Sequence, residues 1–353
     1  MSVELGLLYS RIRTGEKLLL SELRDRGHEV VKLDVRRTTF GVGDGAGSSG
    51  ATTTETGDES TTGPATETGG ETTAGSTTET SGETTAGSTT ETAGEVAAGD
   101  AAAALADCDL VLDRCLATSR SLYTTQFAAA YDLPVVNTPE TARVCADKVE
   151  TSLALSAAGV PTPETRVAFD TDSALDAVES FGYPCVLKPV VGSWGRLLAK
   201  LEGRAAAEAV LEHKSTLGHY EHDVFYVQEF VEKPGRDVRV LVLGEEPVAA
   251  MARSGDHWVT NAKRGAETSA FELDDRAATL ASEAAAAVGG GLLGVDLMET
   301  GDGYTVHEVN HTVEFEALAE ATDVDVAATV VDWLESQAAA EDAETETEVT
   351  ATV

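Results

Sequence analysis

The chain is 353 residues long, enough for two or three domains around a large buried core. It carries 61 acidic side chains against 25 basic ones, a formal net charge of −36. That balance argues against nucleic acid as a partner, because sequence-independent binding needs cationic surface to displace counterions. It suits a surface solvated at very high salt, where screening removes most of the self-repulsion.

The four cysteines, Cys108, Cys115, Cys145 and Cys185, stand at no metal-site or redox spacing and read as small buried apolar residues in a reducing compartment. No run approaches the roughly 18 apolar residues of a membrane helix, and the N-terminus has no signal-peptide core. A cytoplasmic protein without membrane contact is expected. The oligomeric state is left open, with a homo-oligomer compatible.

Val3–Tyr9 is a short apolar strand. Gly15–Arg26 is a helix with Leu18, Leu19 and Leu23 on one face, closed by Gly27, and His28–Val35 is a second strand. This βαβ opening predicts an α/β fold with a parallel sheet. Residues Gly41–Asp100 then turn to Gly, Thr, Ser, Ala and Glu, with eleven acidic side chains and no basic ones. Glu71–Gly82 is repeated nearly unchanged as Glu83–Gly94, and no large apolar residue recurs within the repeat. With nothing to bury between copies, the segment is expected to be a disordered insertion, dispensable for chemistry.

Order is expected to resume near Ala101. Asp109–Asp113 is a strand, Ser119–Tyr131 a helix and Pro134–Asn137 a strand; Thr141–Ala158 is one helix stopped by Gly159-Val160-Pro161. Strands follow at Cys185–Pro189, Phe225–Val231, Val238–Leu243 and Pro247–Arg253, with helices at Gly203–Lys214 and Asp274–Val288. Leu293–Glu299 and Tyr304–Asn310 form a hairpin around Gly301-Asp302-Gly303. The acidic, alanine-rich tail after Trp333 is expected to fray.

The hairpin carries the sharpest chemical signal. Period two puts Val306, Glu308 and Asn310 on one face, with Asp296 across the turn. Two carboxylates and an amide oxygen are hard donors of the kind Mg²⁺ takes while phosphates and water complete its shell; a polar face turned to solvent is the alternative. Lys188 ends an apolar strand, where a lysine is costly unless it meets an anion. Pro189 then leads into Gly192-Ser193-Trp194-Gly195-Arg196, a loop whose backbone N–H groups could approach phosphate or could form an ordinary turn. Gln228-Glu229-Phe230-Val231 ends a strand whose edge could pair with an adenine, and a carboxylate just beyond could accept ribose hydroxyls; a plain strand and tight turn is the default. Arg253, His257, Asn261, Lys263 and Arg264 form a cationic stretch suited to a carboxylate or a transferring phosphoryl group, or to a loop paired with the acidic surface.

In this order the pieces resemble the ATP-grasp superfamily, over the whole chain except the insertion and the tail. Lys148, Lys188, the Gly192–Gly195 loop, Gln228–Val231, Asp296 and Glu308-Val309-Asn310 fall where that superfamily has its nucleotide and magnesium residues. Tyr9–Arg13, Val191–Leu198, Gln228–Arg239, His257–Gly265 and Val309–Thr312 are similar to the RimK group, and within it to the LysX and ArgX ligases of lysine and arginine biosynthesis. The resemblance implies a Rossmann-like pre-ATP-grasp domain (1–140, carrying the insertion 41–100), two α+β ATP-grasp subdomains (141–224 and 225–336) enclosing the nucleotide, and an acidic disordered tail (337–353).

It further implies ATP and Mg²⁺, expected as two ions, as cofactors. ATP would phosphorylate the side-chain carboxylate of the C-terminal glutamate of a small carrier protein, LysW, and the α-amino group of a free amino acid would attack the acyl phosphate. Asp296, Glu308 and Asn310 would hold the metal. Lys148, Lys188, Gly192, Ser193, Trp194, Gly195, Arg196, Gln228, Glu229, Phe230, Val231, Asp237 and Arg239 would bind the nucleotide, and Arg253 and Asn261 would stabilise the acyl phosphate or orient the acceptor. Aminoadipate-specific relatives carry Asn followed by Thr or Ala after the Asn-His pair, and glutamate-specific ones a small residue followed by an aromatic. Here Ala317-Leu318 is small then apolar, so Leu318 is expected to shorten the pocket and favour glutamate over α-aminoadipate. A RimK-type glutamate ligase acting on a ribosomal protein or a small cofactor is the alternative.

Overall fold

The computed structural model describes residues 2–42, 100–192, 197–216, 223–260 and 265–351, with side chains as far as residue 340 in the last helix. The repetitive segment and the loop 193–196 lie outside the described residues, as does the stretch 261–264. The chain opens as β1 (Glu4–Tyr9), α1 (Thr14–Asp25) and β2 (Glu29–Asp34), and continues after the repeats with α2 (Ala101–Leu105), β3 (Leu110–Arg114), α3 (Thr118–Ala130) and β4 (Val135–Val136). These strands form a parallel sheet in the order β2-β1-β3-β4. Leu5 and Leu7 pack to one side of β1 and Leu8 to the other, as a strand covered on both faces requires. In α1 the core face is Leu19 and Leu23, one turn apart; Leu18, expected beside them, is 37% exposed.

The helix expected over Thr141–Ala158 is two helices, α4 (Pro139–Ala146) and α5 (Lys148–Ala157). Asp147 breaks it, because its extended backbone and its carboxylate, accepting from Val149 N and Glu150 N, make it the N-cap of α5. Lys148 is thereby placed at the first position of a helix.

A second sheet is antiparallel, in the order β5-β8-β6-β7: β5 (Thr165–Ala168), β6 (Cys185–Lys188), β7 (Ala199–Leu201) and β8 (Phe225–Glu229). It is backed by α6 (Thr171–Phe181) and α7 (Arg204–Thr216). Cys185 and Leu187 face that core, so alternation turns Val186 and Lys188 to the opposite side.

The third sheet runs β11-β10-β9-β12-β13, from β9 (Arg236–Leu243), β10 (Glu246–Ser254), β11 (Glu267–Ala270), β12 (Leu292–Thr300) and β13 (Gly303–Asn310), with α8 (Asp275–Ala287) against one face. Val238, Val240 and Val242 of β9 and Leu293, Val295 and Leu297 of β12 meet α8. Their neighbours on the other face change character along the strands. Leu241, Leu243, Met251 and Leu292 pack on the parallel sheet's core, while Asp237, Arg239, Arg253 and Asp296 continue the same face as a polar floor. One sheet face therefore supplies both an inter-sheet core and a site. α9 (Glu316–Ala321) and α10 (Val326–Ala351) close the chain. α10 continues where fraying was expected; Leu334 and Ala338 are buried, and Arg26 and His28 bond Asp332 and Glu335 on it.

Candidate active site

A cavity of about 400 Å³ lies over the polar floor. β9, β10, β12 and β13 line it, together with Arg13 and Leu116 from the N-terminal unit and Ala317 from α9. Its centre is Asp296, only 4% exposed. In register, Asp296 faces Arg239 on β9 and Glu308 on β13. Arg239 Nη2 donates to Asp296 Oδ2 at 2.7 Å, Arg239 Nε makes a second, shorter bond, and Arg253 Nη2 donates to Oδ1 at 2.9 Å. Burial works to raise the Asp296 carboxyl, but Arg239 and then Arg253 outweigh it and hold it below the usual carboxylate range. Gly294 makes room for this pairing: a Cβ there would stand 2.9 Å from Arg239 Nη1.

The expected hairpin face is altered by a β-bulge. Asp296 pairs with Glu308, yet Leu297 pairs with Val306, so His307 is the additional residue on β13. Val306 consequently lies in the α8 core rather than beside Glu308, and His307, Glu308 and Asn310 all line the cavity. Strict period two holds only in an unbroken ladder, which is why the sequence pattern misplaced Val306 and overlooked His307. Two carboxylates and an amide converge, with Asn310 Nδ2 3.4 Å from Asp296 Oδ2. Among the described residues no three His, Cys, Asp or Glu side chains form a metal cage. The donor set fits a hard cation such as Mg²⁺, which binds through one or two carboxylates and completes its shell with phosphate and water.

Both predicted lysines reach this region. Lys148 Nζ lies 3.1 Å from Glu308 Oε1 and donates to Gly192 O at 2.7 Å. Lys188 is 3% exposed, and its Nζ is 3.3 Å from His307 Nδ1. Burial pushes the Lys188 ammonium down to about 7, although Glu308 works against the shift. Burial and the Lys188 charge also hold His307 well below its ordinary value, which favours the neutral ring. Asp237 accepts from Thr260 Oγ1 and from Lys233 Nζ, both in short contacts.

Other expected residues fall elsewhere. Gln228 is buried on β8, donating to Thr165 Oγ1 at 2.9 Å and Tyr226 OH at 3.1 Å; Glu229 accepts from Glu164 N. Phe230 packs against Trp258, with Lys200 Nζ 4.6 Å from its ring centre. None of these, nor Val231, lines the cavity. Ser193, Trp194, Gly195, Arg196 and Asn261 lie outside the described residues. Leu318, expected to shorten the pocket, is instead 1% exposed, packs in the core with Phe315 and Val330 and does not line the cavity; Ala317 is the one of the pair that does. Adjacent helical residues point about 100° apart, and α9 turns Leu318 inward.

Besides His307, two further groups at the cavity were not expected there. Arg13 lines the cavity while bonding Glu16 and Glu314. His311 lines it too; its backbone carbonyl accepts from Asn137 Nδ2 at 2.7 Å, its Nε2 is 3.1 Å from Ser121 Oγ, and burial depresses its basicity. No local pattern signals either, because their partners lie far away in sequence.

A buried acidic centre flanked by arginines, with two lysines converging on it between antiparallel sheets, defines an ATP-dependent carboxylate–amine ligase: it activates a carboxylate with ATP and joins it to an amine. The chain belongs to the RimK-like ATP-grasp family, whose domain profile matches residues 145–334, and a LysX preATP-grasp domain profile matches 5–53 and 90–144. It is 35% identical over 222 residues to the alpha-aminoadipate–LysW ligase LysX of Saccharolobus solfataricus, covering 62% of this chain and 81% of that protein. It is 30% identical over 234 residues to the glutamate–LysW ligase ArgX of Sulfurisphaera tokodaii, covering 65% and 83%. Among solved structures it is similar to a RimK domain ATP-grasp protein from Sphaerobacter thermophilus, with a TM-score of 0.66 and 27% identity, covering 94% of this chain and 98% of that one.

Proposed function

We propose that the enzyme joins the α-amino group of an acidic amino acid to the side-chain carboxylate of a C-terminal glutamate on a LysW-type carrier protein, through an acyl phosphate. The observation that carries this is one cavity lined by Arg13, Arg239, Arg253, Asp296, Glu308 and Ala317, with Lys148 paired to Glu308, in a chain similar to both LysX and ArgX. Residues 1–140 would form the pre-ATP-grasp domain, and 141–224 and 225–336 the halves that close on the nucleotide.

Lys148 and Lys188 bind the ATP phosphates; a desolvated lysine at 3% exposure is a strong anion partner once its charge is met. Arg253 stabilises charge on the acyl phosphate, and Arg239 holds Asp296 in place. Ser193, Trp194, Gly195 and Arg196, with Gly192, would bind the phosphates and exclude the water that would hydrolyse the activated carboxylate. Gln228, Glu229, Phe230 and Val231 would bind the adenine, Asp237 would serve the nucleotide, and Asn261 would orient the acceptor. Asp296, Glu308 and Asn310 would hold Mg²⁺, which would supply positive charge to offset that of the phosphates.

The amino acid is glutamate or its one-carbon-longer homologue α-aminoadipate, and the choice rests on Ala317 and its neighbours on the cavity wall. The test is to incubate enzyme, ATP and Mg²⁺ with each amino acid and a carrier ending in glutamate, and to follow ADP release and the intact mass of the carrier. One aminoacyl unit gained by the carrier is expected. ADP release without carrier modification, together with glutamylation of another acceptor, would replace the carrier by a ribosomal-protein tail or a small cofactor.

A further inference from the structure

His311 sits between two parts of the molecule that meet only through tertiary structure. Asn137, just after β4, grips both its own neighbourhood and the sheet: Leu292 N donates to Asn137 Oδ1 at 2.6 Å, and Asn137 Nδ2 donates to Leu292 O at 3.0 Å and to His311 O at 2.7 Å. A side chain at Gly291 would collide with this amide, since its Cβ would lie 2.2 Å from Asn137 Oδ1. The backbone of His311 is therefore held rigidly beside the cavity.

Its ring is held by a chain of hydrogen bonds with one possible direction. Asp113, at the end of β3, is 5% exposed and accepts from Cys115 N at 3.1 Å and from Ser121 Oγ in a short contact. A carboxylate only accepts, so the single hydroxyl proton of Ser121 is committed to Asp113. Ser121 is fully buried, and its oxygen can then meet His311 Nε2 at 3.1 Å only by accepting from it. Nε2 must carry the proton, and in the neutral ring Nδ1 is left with a lone pair. Nδ1 has no partner among the described residues, and it is not among the buried polar atoms left unsatisfied, so it is open to the cavity that His311 lines.

We propose that His311 Nδ1 accepts a hydrogen bond from the amino group of the incoming amine substrate and orients that nitrogen in the cavity, and that Asp113 and Ser121 are positioning residues that select the tautomer able to do so. An acceptor is what this substrate needs. The cavity arginines (Arg13, Arg239 and Arg253) are donors only and would repel an ammonium group, whereas the carboxylates that also line it, Glu316 and Glu320 among them, favour the protonated, non-nucleophilic amine; a neutral imidazole accepts from the uncharged one. The inference rests on the amine-ligase assignment and adds the residue that receives the amine.

The D113N variant reverses the relay. Its side-chain oxygen can keep the Cys115 N–H bond while its amide nitrogen donates to Ser121 Oγ, so the hydroxyl donates to His311 Nε2 and the ring proton moves to Nδ1. The tautomer is read directly from the imidazole nitrogens of ¹⁵N-histidine-labelled protein, the resonance lost in H311N identifying His311 among the seven histidines. The expected result is the Nε2–H form in wild type and the Nδ1–H form in D113N. The KM for the amino acid should rise about tenfold in D113N, the worth of roughly one hydrogen bond of about 1.4 kcal/mol, with the KM for ATP unchanged. H311N places an amide oxygen where Nδ1 stood and should keep the amino-acid KM within about threefold. H311Q places its amide at the Nε2 position and should raise that KM about tenfold, a split a purely structural role would not produce. Wild-type His311 carrying its proton on Nδ1 overturns the proposal, as does an unchanged amino-acid KM in both D113N and H311Q. A wild type that releases no ADP with any amine would instead sink the ligase assignment, while the nitrogen spectrum still decides the tautomer.

Discussion

Removing the charge of Asp296 and removing that of Glu308 should have different consequences, although both groups belong to the proposed metal site. The Asp296 side chain is 5% exposed and balances two guanidinium groups, Arg239 at 14% and Arg253 at 9% side-chain exposure. Asp296→Asn keeps the shape but leaves two buried cations facing a neutral amide. Breaking a buried pair costs about 3–5 kcal/mol, and the remaining amide oxygen recovers about 1 kcal/mol by accepting one bond. The net loss is about 2–4 kcal/mol, which in a protein of this size lowers Tm by roughly 3–7 °C. Glu308 is 26% exposed and meets one ammonium, that of Lys148, at 3.1 Å. Glu308→Gln therefore costs at most about 1 kcal/mol. The assay pairs thermal unfolding in a chelator, without nucleotide, with ADP release at saturating Mg²⁺. Both variants should lose turnover, and only Asp296→Asn should lose stability in the chelator. A wild-type Tm for Asp296→Asn would refute the buried-triad argument, and wild-type turnover in Glu308→Gln would refute the metal assignment.

Glu16, with a fully buried side chain, is held below its ordinary value of 4.5: burial opposes ionisation, but bonds from Arg13 and the charge of Arg114 prevail. A depressed carboxyl contributes stability that is complete above its unfolded value and is lost as pH falls through the folded one. Wild type should thus lose stability below pH 4.5 more steeply than Glu16→Gln, which should already be weaker by about 3 kcal/mol at pH 7; parallel denaturant-midpoint curves against pH would contradict this. The repeat segment should be removable, because its ends already meet: Thr39 bridges Asp100, and Ala101 N donates to Thr39 O at 3.1 Å. Deletion of 43–99 behind a short Gly-Ser linker, sparing the Asp100 cap of α2, should leave kcat/KM within about twofold, as one loop shortened at closed ends changes little free energy; an inactive deletion variant would make the segment functional. Leu318→Ala should cost about 2–5 kcal/mol without altering the ratio of kcat/KM for glutamate and α-aminoadipate. Ala317→Val should alter that ratio with little loss of stability, by the ~1–3 kcal/mol that one methylene is worth in a pocket. The opposite pattern, measured by the same ADP-release assay, would restore Leu318 to the pocket.

Much of the architecture was legible in local pattern. Leu5, Leu7 and Leu8 mark a strand buried on both faces, and Asp274 with the alanine run after it marks a capped helix, because period and capping act over a few residues. Among the elements overlooked, β5 and α6 carry weak patterns. Thr165–Ala168 has one buried residue, and α6 buries only Ala174, Ala177 and Val178. Lys188, Asp296, Glu308 and Asn310 could likewise be placed locally, since each stands at a strand end or on a strand face that sequence can locate, whereas Lys148 was expected inside one long helix.

What the sequence determined by itself was the class of chemistry: hard oxygen donors on a hairpin and a lysine at the end of an apolar strand. Tertiary structure decided which of those groups act together. The bulge at His307 turned Val306 into the core, a one-residue change in register that propensity does not encode. The inward turn of α9 removed Leu318 from the pocket and left Ala317 at its wall. The relay from Asp113 through Ser121 to His311 spans 190 residues between its last two members. Local sequence sets the face each residue occupies, and only the packing of one sheet on another sets which distant face it meets.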